Sequence, residues 1–293
     1  MLFRYPITLR LVIKLSLKRV ALTWLIVLAE NVLMMLLPLF IGFAIDGLLE
    51  QNLRPLLTLG FILFALVVIS VARRVYDTRV YGAIRVRLAK LVARNLRAVP
   101  ISVKDARLTM SRELVDFLEQ HLPAVITALV QLLATLVILA SFHFTLALCV
   151  LAAGLAMLLL YTLFHRTFTR LNTTLNDQLE QQVGVLGGRS FAAIRAHFER
   201  LKQCEIKLSD TEALVYGLIF IALFSSVVAN LWLVSHLPAP TAGQVFAVVT
   251  YSLEFVETAV MLPITLQTLS RLEEISQRLN QPASNLATLE HTK

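Results

Sequence analysis

The sequence predicts an all-α membrane protein with six transmembrane helices and two long helical hairpins on one side of the bilayer. Three observations carry that prediction. Hydrophobic residues fill 57% of the 293 positions and charged ones 16%, with a mean hydropathy of +0.74, values far from those of soluble domains. The apolar residues gather into six runs, each able to cross a hydrocarbon core of about 30 Å. The basic residues are grouped as well: residues 1–19 hold 5, Arg73–Arg112 hold 11, Arg166–Lys207 hold 7 and the C-terminal end 3, which leaves Arg54 alone. By the positive-inside rule both termini and both hairpins are cytoplasmic, in a cytoplasmic (inner) membrane. The net charge of +8 is thus spent on topology and lipid headgroups, and no nucleic-acid partner is expected.

The first element, residues 1–19, interleaves Arg4, Arg10, Lys14, Lys18 and Arg19 with Leu2, Phe3, Leu9, Ile13 and Leu17, the pattern of an interfacial amphipathic elbow helix. The first span then runs from about Val20 to Leu49, with Glu30 and Asn31 inside it and Pro38 as a kink. After the turn EQNLRP, a second run starts near Leu56 and keeps helical spacing to Pro100. A helix of that length spans about 65 Å, roughly twice the hydrocarbon core, so it must project from the membrane. The third span, from Ser111 to Ser141, begins polar and ends apolar, closing a hairpin over the loop VKDARLTM. The fourth and fifth repeat the shape around Gly187 and Gly188. A short SHLPAPTAG turn leads to the sixth, which runs out of the bilayer to Asn280. The expected organisation is an elbow at 1–19, a six-helix domain at 20–280 and a short cytoplasmic tail at 281–293.

Order and spacing give these segments a further meaning. VYGAIRVRLAKLVARNLRAVPIS, SRELVDFLEQHLPAV, GGRSFAAIRAHFERL and the sixth-helix stretch TAGQVFAVVTYSLEFVETAVMLPITLQTLSRLEEISQRL resemble the membrane domain of an ABC exporter half-transporter, from about residue 15 to 280. The resemblance implies a homodimer or heterodimer of half-transporters, hairpins that cross to the partner, and alternating access through a central cavity. It also implies coupling contacts to an ATPase at Lys104, Asp105, Gly187, Gly188, Arg189 and Phe191. VKDARLTM departs from the Thr-Gly-Glu-Leu pattern of the family. No nucleotide-binding domain is expected within these residues: a P-loop needs Gly-Lys-Ser/Thr to cradle phosphates, and none of the seven lysines follows a glycine. The chain is therefore expected to be no enzyme and to hold no cofactor, with any ATPase supplied by a separate chain.

Glu254 and Glu257 are the strongest site candidates. Intramembrane carboxylates are expensive and face interiors, and helical counting from Thr250 puts both on one face with Met261, Thr265 and Thr268. They are expected to bind a proton or a cationic substrate. Glu30 lies at a similar depth and either joins them or is satisfied by hydrogen bonds between helices. Gln131 and Asn230 are expected to join helices, Arg73 and Arg74 to snorkel to headgroups, and Tyr251, Phe255 and Trp232 to pack or to anchor at the interface rather than contact substrate. The six histidines lack metal-ligand spacing, and Cys149 and Cys204 make no disulfide framework.

Three functions follow. The first is the permease subunit of an ABC-type transporter, moving a small amphiphilic, peptide-like or siderophore-like compound by alternating access and driven by a separate ATPase. The second is a motor-less secondary transporter driven by the proton gradient through Glu254 and Glu257. The third is a non-transporting accessory membrane subunit.

Overall fold

The computed structural model describes residues 16–95, 101–188 and 190–280, and these are helical apart from short turns. The helices are α1 (Leu17–Leu49), α2 (Arg54–Asn95), α3 (Ile101–Asp116), α4 (Leu122–Phe142), α5 (Phe144–Gly187), α6 (Phe191–Ser235) and α7 (Ala242–Asn280). One π-helical turn, Phe117–His121, joins α3 to α4 without interrupting the helix. Six stretches are long and apolar enough to cross a membrane. Most of the elbow helix expected at 1–19, and the tail at 281–293, lie outside the described residues.

The turns between spans are short because their polar groups are satisfied locally. After α1, Asn52 N–H donates to the Gly47 carbonyl at 2.7 Å, and the Asn52 side chain accepts from Arg54 N–H at 3.1 Å, which caps α2 just ahead of Pro55. His143 and Ser190 cap α5 and α6 in the same way, each accepting a backbone N–H at 3.3 Å, from Thr145 and Ala193.

One expected loop is absent. VKDARLTM, placed between hairpin arms by the sequence pattern, is helical from Ile101 onward and continuous with the third span. No residue after Pro100 breaks the helix, and Leu108 and Met110 have core to pack against. A proline immediately before a first helical turn removes no needed donor, so a helix can begin at Ile101 and carry VKDARLTM within it.

The chain divides into two compact units. The first comprises Met1–Thr135 and Thr241–Lys293. There α1 packs against α2 and α7, and α2 against α3. Its core joins Val20 of α1, Val80, Tyr81, Ile84 and Leu88 of α2, and Leu114, Val115 and Leu118 from α3 and the π turn. At the other end of α1, its backbone meets α7 at two glycines. A Cβ on Gly42 would lie 2.6 Å from the Gly243 carbonyl oxygen, and one on Gly243 would run into the Gly42 carbonyl. Asp46 fixes the same crossing, accepting from Gly243 N–H at 2.7 Å and from the Thr241 hydroxyl at 2.6 Å. It thereby caps α7 from a different helix.

The second unit, Leu136–Pro240, is built on α5 and α6. The buried residues Leu146, Val150, Ala153 and Met157 on α5, and Val215, Ile219, Leu223, Ser226 and Asn230 on α6, recur at steps of three and four, the seam of a coiled coil. Cys149 sits in this seam, its Sγ 3.8 Å from the Ser226 carbonyl oxygen.

Substituting Gly243→Ala is expected to destabilise the protein by about 2–3 kcal/mol or more, because the clash is with backbone that cannot rotate away. Gly217→Ala, where a Cβ meets nothing, should leave stability unchanged or slightly raised. Thermal unfolding in detergent, followed for both variants, checks the difference.

Candidate functional site: a cavity walled by three helices

In the first unit a cavity of about 410 Å³ opens between α1, α4 and α7. Its wall is mostly apolar, with Met34, Met35, Leu37 and Ile41 from α1. Five polar side chains face it: Asn31 from α1, Thr127 and Gln131 from α4, Thr250 and Glu254 from α7. Asn31 Nδ2 donates to Thr127 Oγ1 at 2.8 Å, tying α1 to α4 at the cavity's edge.

Pro38 also lines it and explains part of its chemistry. A proline has no N–H to offer the carbonyl four residues earlier, here that of Met34. One residue on, the Met35 carbonyl accepts the hydroxyl of Tyr251 at 2.5 Å. The fully buried Tyr251 thus pins α7 to α1 beside Pro38. This is packing, the first of the two roles expected for these aromatics, and Phe255 is buried as well; Trp232 lies exposed near the end of α6 in the second unit, against His236 with ring centroids 4.4 Å apart.

The two α7 acids part company. Glu254 is half-buried on the cavity wall, whereas Glu257 and Met261 are exposed on the outside of this unit. One turn of helix separates a cavity position from a surface position. Among the described residues no lysine or arginine pairs with Glu254. The side chains of Thr265 and Thr268 lie outside the described residues.

Glu30 does not face the cavity. Its carboxylate accepts from Ser70 and forms an ion pair with Arg73, both on α2. Of the alternatives open from the sequence, satisfaction between helices is the one observed. Arg73 is corrected with it: instead of snorkelling, its guanidinium is held between Glu30 and Asp77, with Nε 3.5 Å from Asp77 Oδ2. The reason is geometric, since Ser70, Arg73 and Asp77 are spaced to share the α2 face that α1 covers. Gln131, expected to join helices, lines the cavity. Further along α2, Arg85 Nη2 reaches Asp116 at 2.5 Å and also contacts Glu119. Sequence reasoning passed over Asp77, Arg85 and Asp46. For the first two a signal was present, the four-residue spacing of Arg73, Asp77, Tyr81 and Arg85.

Of the expected coupling residues, Asp105 is exposed on α3 and Phe191 is 81% exposed at the start of α6. Gly187 and Gly188 form the tight reversal between α5 and α6. The Lys104 side chain and Arg189 lie outside the described residues.

Six stretches long and apolar enough to cross a membrane make this a multi-pass membrane protein. A family model for the ABC transporter transmembrane region matches residues 9–243, and the chain belongs to that family. The ABC-exporter-type fold expected from the sequence is therefore the one present. The match ends at the start of α7, so Glu254 and Glu257 lie beyond the matched residues. A comparison with curated proteins finds no match.

Removing Arg73 alone, as Arg73→Gln, leaves Glu30 and Asp77 without their cation and is expected to cost on the order of 3 kcal/mol. Adding Glu30→Gln should restore part of that loss. A double-mutant cycle on thermal or denaturant unfolding gives the coupling energy.

Proposed function

We propose that this permease subunit moves a small amphiphilic compound with a cationic or hydrogen-bonding end, by alternating access across the cytoplasmic membrane. One observation carries the reading: a single carboxylate, Glu254, stands on the wall of a mostly apolar cavity with no basic side chain paired to it among the described residues. Apolar walls take up an apolar body without discrimination, while the few convergent polar groups fix its orientation. Glu254, with Gln131 and Asn31 as amide partners, favours an amine or guanidinium end of an amphiphile or peptide-like compound.

The working unit is a homodimer or heterodimer of half-transporters, with residues 20–280 as the permease domain, 1–19 as an elbow and 281–293 as a tail. The distribution of Lys and Arg supports cytoplasmic termini and hairpins. A separate ATPase supplies the energy, docking on the hairpin ends at Lys104, Asp105, Gly187, Gly188, Arg189 and Phe191. The support for that docking is the exposed apolar tip: Val183, Leu186 and Phe191 are 80%, 51% and 81% exposed next to the reversal. A large aromatic at a tip beyond the membrane suits burial by a partner. The second reading, proton coupling through Glu254, is favoured by the absence of a basic partner for that carboxylate among the described residues.

Two results are expected. With ethidium as an amphiphilic cationic probe, Glu254→Gln should weaken binding to the purified protein by roughly tenfold to a hundredfold, the value of one charge-assisted contact. Glu257→Gln should change it by less than about twofold; equal effects of the two would remove the cavity from the reading. Affinity isolation from host membranes in mild detergent should co-purify a P-loop ATPase, and Phe191→Asp should lose it while retaining the fold. A dimer with no ATPase, together with ethidium transport that follows an imposed proton gradient and fails in Glu254→Gln, would establish the second reading instead.

A further inference from the structure

Outside the cavity, the polar residues of α2 make a single line. Arg73, Asp77, Tyr81 and Arg85 recur every four positions, which places them along one stripe of the helix. α1 covers the stripe with Thr23, Trp24 and Glu30, and the α3–π-turn segment covers it with Asp116 and Glu119. The charges do not balance along this seam. Arg73 and Arg85 meet four carboxylates, those of Glu30, Asp77, Asp116 and Glu119, with Arg112 only 3.9 Å from Asp116 at the exposed end.

The imbalance centres on Asp77. Arg73 is committed to Glu30 and brings only its Nε to Asp77 Oδ2, at 3.5 Å; the Thr23 side chain also approaches the Asp77 carboxylate, but Asp77 Oδ1 is buried with no hydrogen-bond donor among the described residues. Beside it the Tyr81 hydroxyl, whose residue is 0% exposed, and Trp24 Nε1 are buried and face each other, and neither completes a hydrogen bond of normal geometry among the described residues. Trp24 lies against Tyr81, and Thr23 against Asp77. The charged groups facing Asp77 are Arg73 on its own helix, Glu30 on α1 and Glu119 on the π turn, so the two added carboxylates oppose a third negative charge there. A buried polar group left without a partner forfeits its hydration with no return.

A proton answers this arrangement better than any larger ligand. Placed on Asp77 Oδ1, it turns an acceptor without a donor into an O–H that can donate to the Tyr81 oxygen. It also removes one of the surplus charges and leaves Arg73 to Glu30. We infer that Asp77, with Tyr81 and Trp24 around it, forms a proton-binding site in the α1–α2 seam, separate from the Glu254 cavity. Its position gives it a route to the cavity: Glu30, which shares Arg73 with Asp77, is adjacent in sequence to Asn31 on the cavity wall. Binding or loss of the proton changes the hold of α2 on α1, the helix that carries five of the cavity's apolar residues.

The two tryptophans make the test direct, because only Trp24 lies in the seam. In Trp232→Phe, emission from Trp24 should titrate with a single midpoint between about pH 4 and about pH 9. That titration should vanish on adding Asp77→Asn, persist on adding Glu254→Gln, and move its midpoint on adding Asp77→Glu. Flat emission in Trp232→Phe, a titration that survives Asp77→Asn, or one abolished by Glu254→Gln would overturn the site. Should Asp77→Asn fail to fold, judged by size-exclusion chromatography, Asp77→Glu decides: an unmoved midpoint overturns the proposal.

Discussion

Hydrocarbon offers no hydrogen-bond partner to a backbone N–H or C=O, and the architecture of this chain follows from that constraint. Each crossing must be a helix that satisfies itself, so a polar function can enter the membrane only through side chains or through a local break in the backbone ladder. Both devices occur on α1. Pro38 removes one amide from the ladder, and Glu30 and Asn31 at one height and Asp46 at another bring polar side chains to the same helix. Each is matched on a different neighbour: Glu30 on α2, Asn31 on α4 and Asp46 at the start of α7. α1 is thereby the common wall on which the first unit is assembled.

Matching polar groups across helices is necessary here because apolar packing supplies little direction in lipid. Leucine prefers another leucine no more than it prefers an acyl chain, so helix pairing depends on close backbone approach and on interhelical hydrogen bonds. The Gly42–Gly243 crossing provides the first and Asp46 provides the second, at the same point. At the opposite end of α1, where the helices extend beyond the bilayer, the core of Val20, Ile84, Leu88 and Leu114 can use the ordinary hydrophobic effect. The first unit is therefore held at its two ends by different forces, with the cavity between them.

The parts of this fold legible in the sequence are those written as local periodicity. Six apolar runs, the helical spacing that carries past Arg73, and the turn at Gly187–Gly188 all depend on neighbours within a few positions, and each is present. What depended on partners distant in the chain was not legible. Nothing near Glu30 announces Arg73 forty-three positions later, and Asp46 meets Gly243 across 197 positions. VKDARLTM was misjudged for a related reason: its charged residues resemble a loop, but Leu108 and Met110 find a core that only the tertiary arrangement creates. The Glu254–Glu257 pair shows the limit of helical counting. It places both on one broad face, yet a face some 60° wide is shared between a cavity wall and the outside, and only the neighbouring helices decide which acid falls where.

That division gives the two acids different physical roles despite identical chemistry. Glu257 is exposed on this unit, and an exposed carboxylate contributes little to a contact. Glu254, surrounded by methionine, leucine and isoleucine with a few amide and hydroxyl groups, has fewer ways to compensate its charge, so a cation or a proton arriving there gains correspondingly more. The seam along α2 follows the same rule with the opposite outcome at one end, where Arg73 already supplies the cation that Glu30 requires. The positions to which a mobile positive charge can be drawn are therefore those where a buried carboxylate lacks a full fixed partner. Glu254 and Asp77 are two such positions, one facing the cavity and the other sealed between helices. Two carboxylates so placed on either side of α1 make that helix the element through which occupancy of one can be felt at the other.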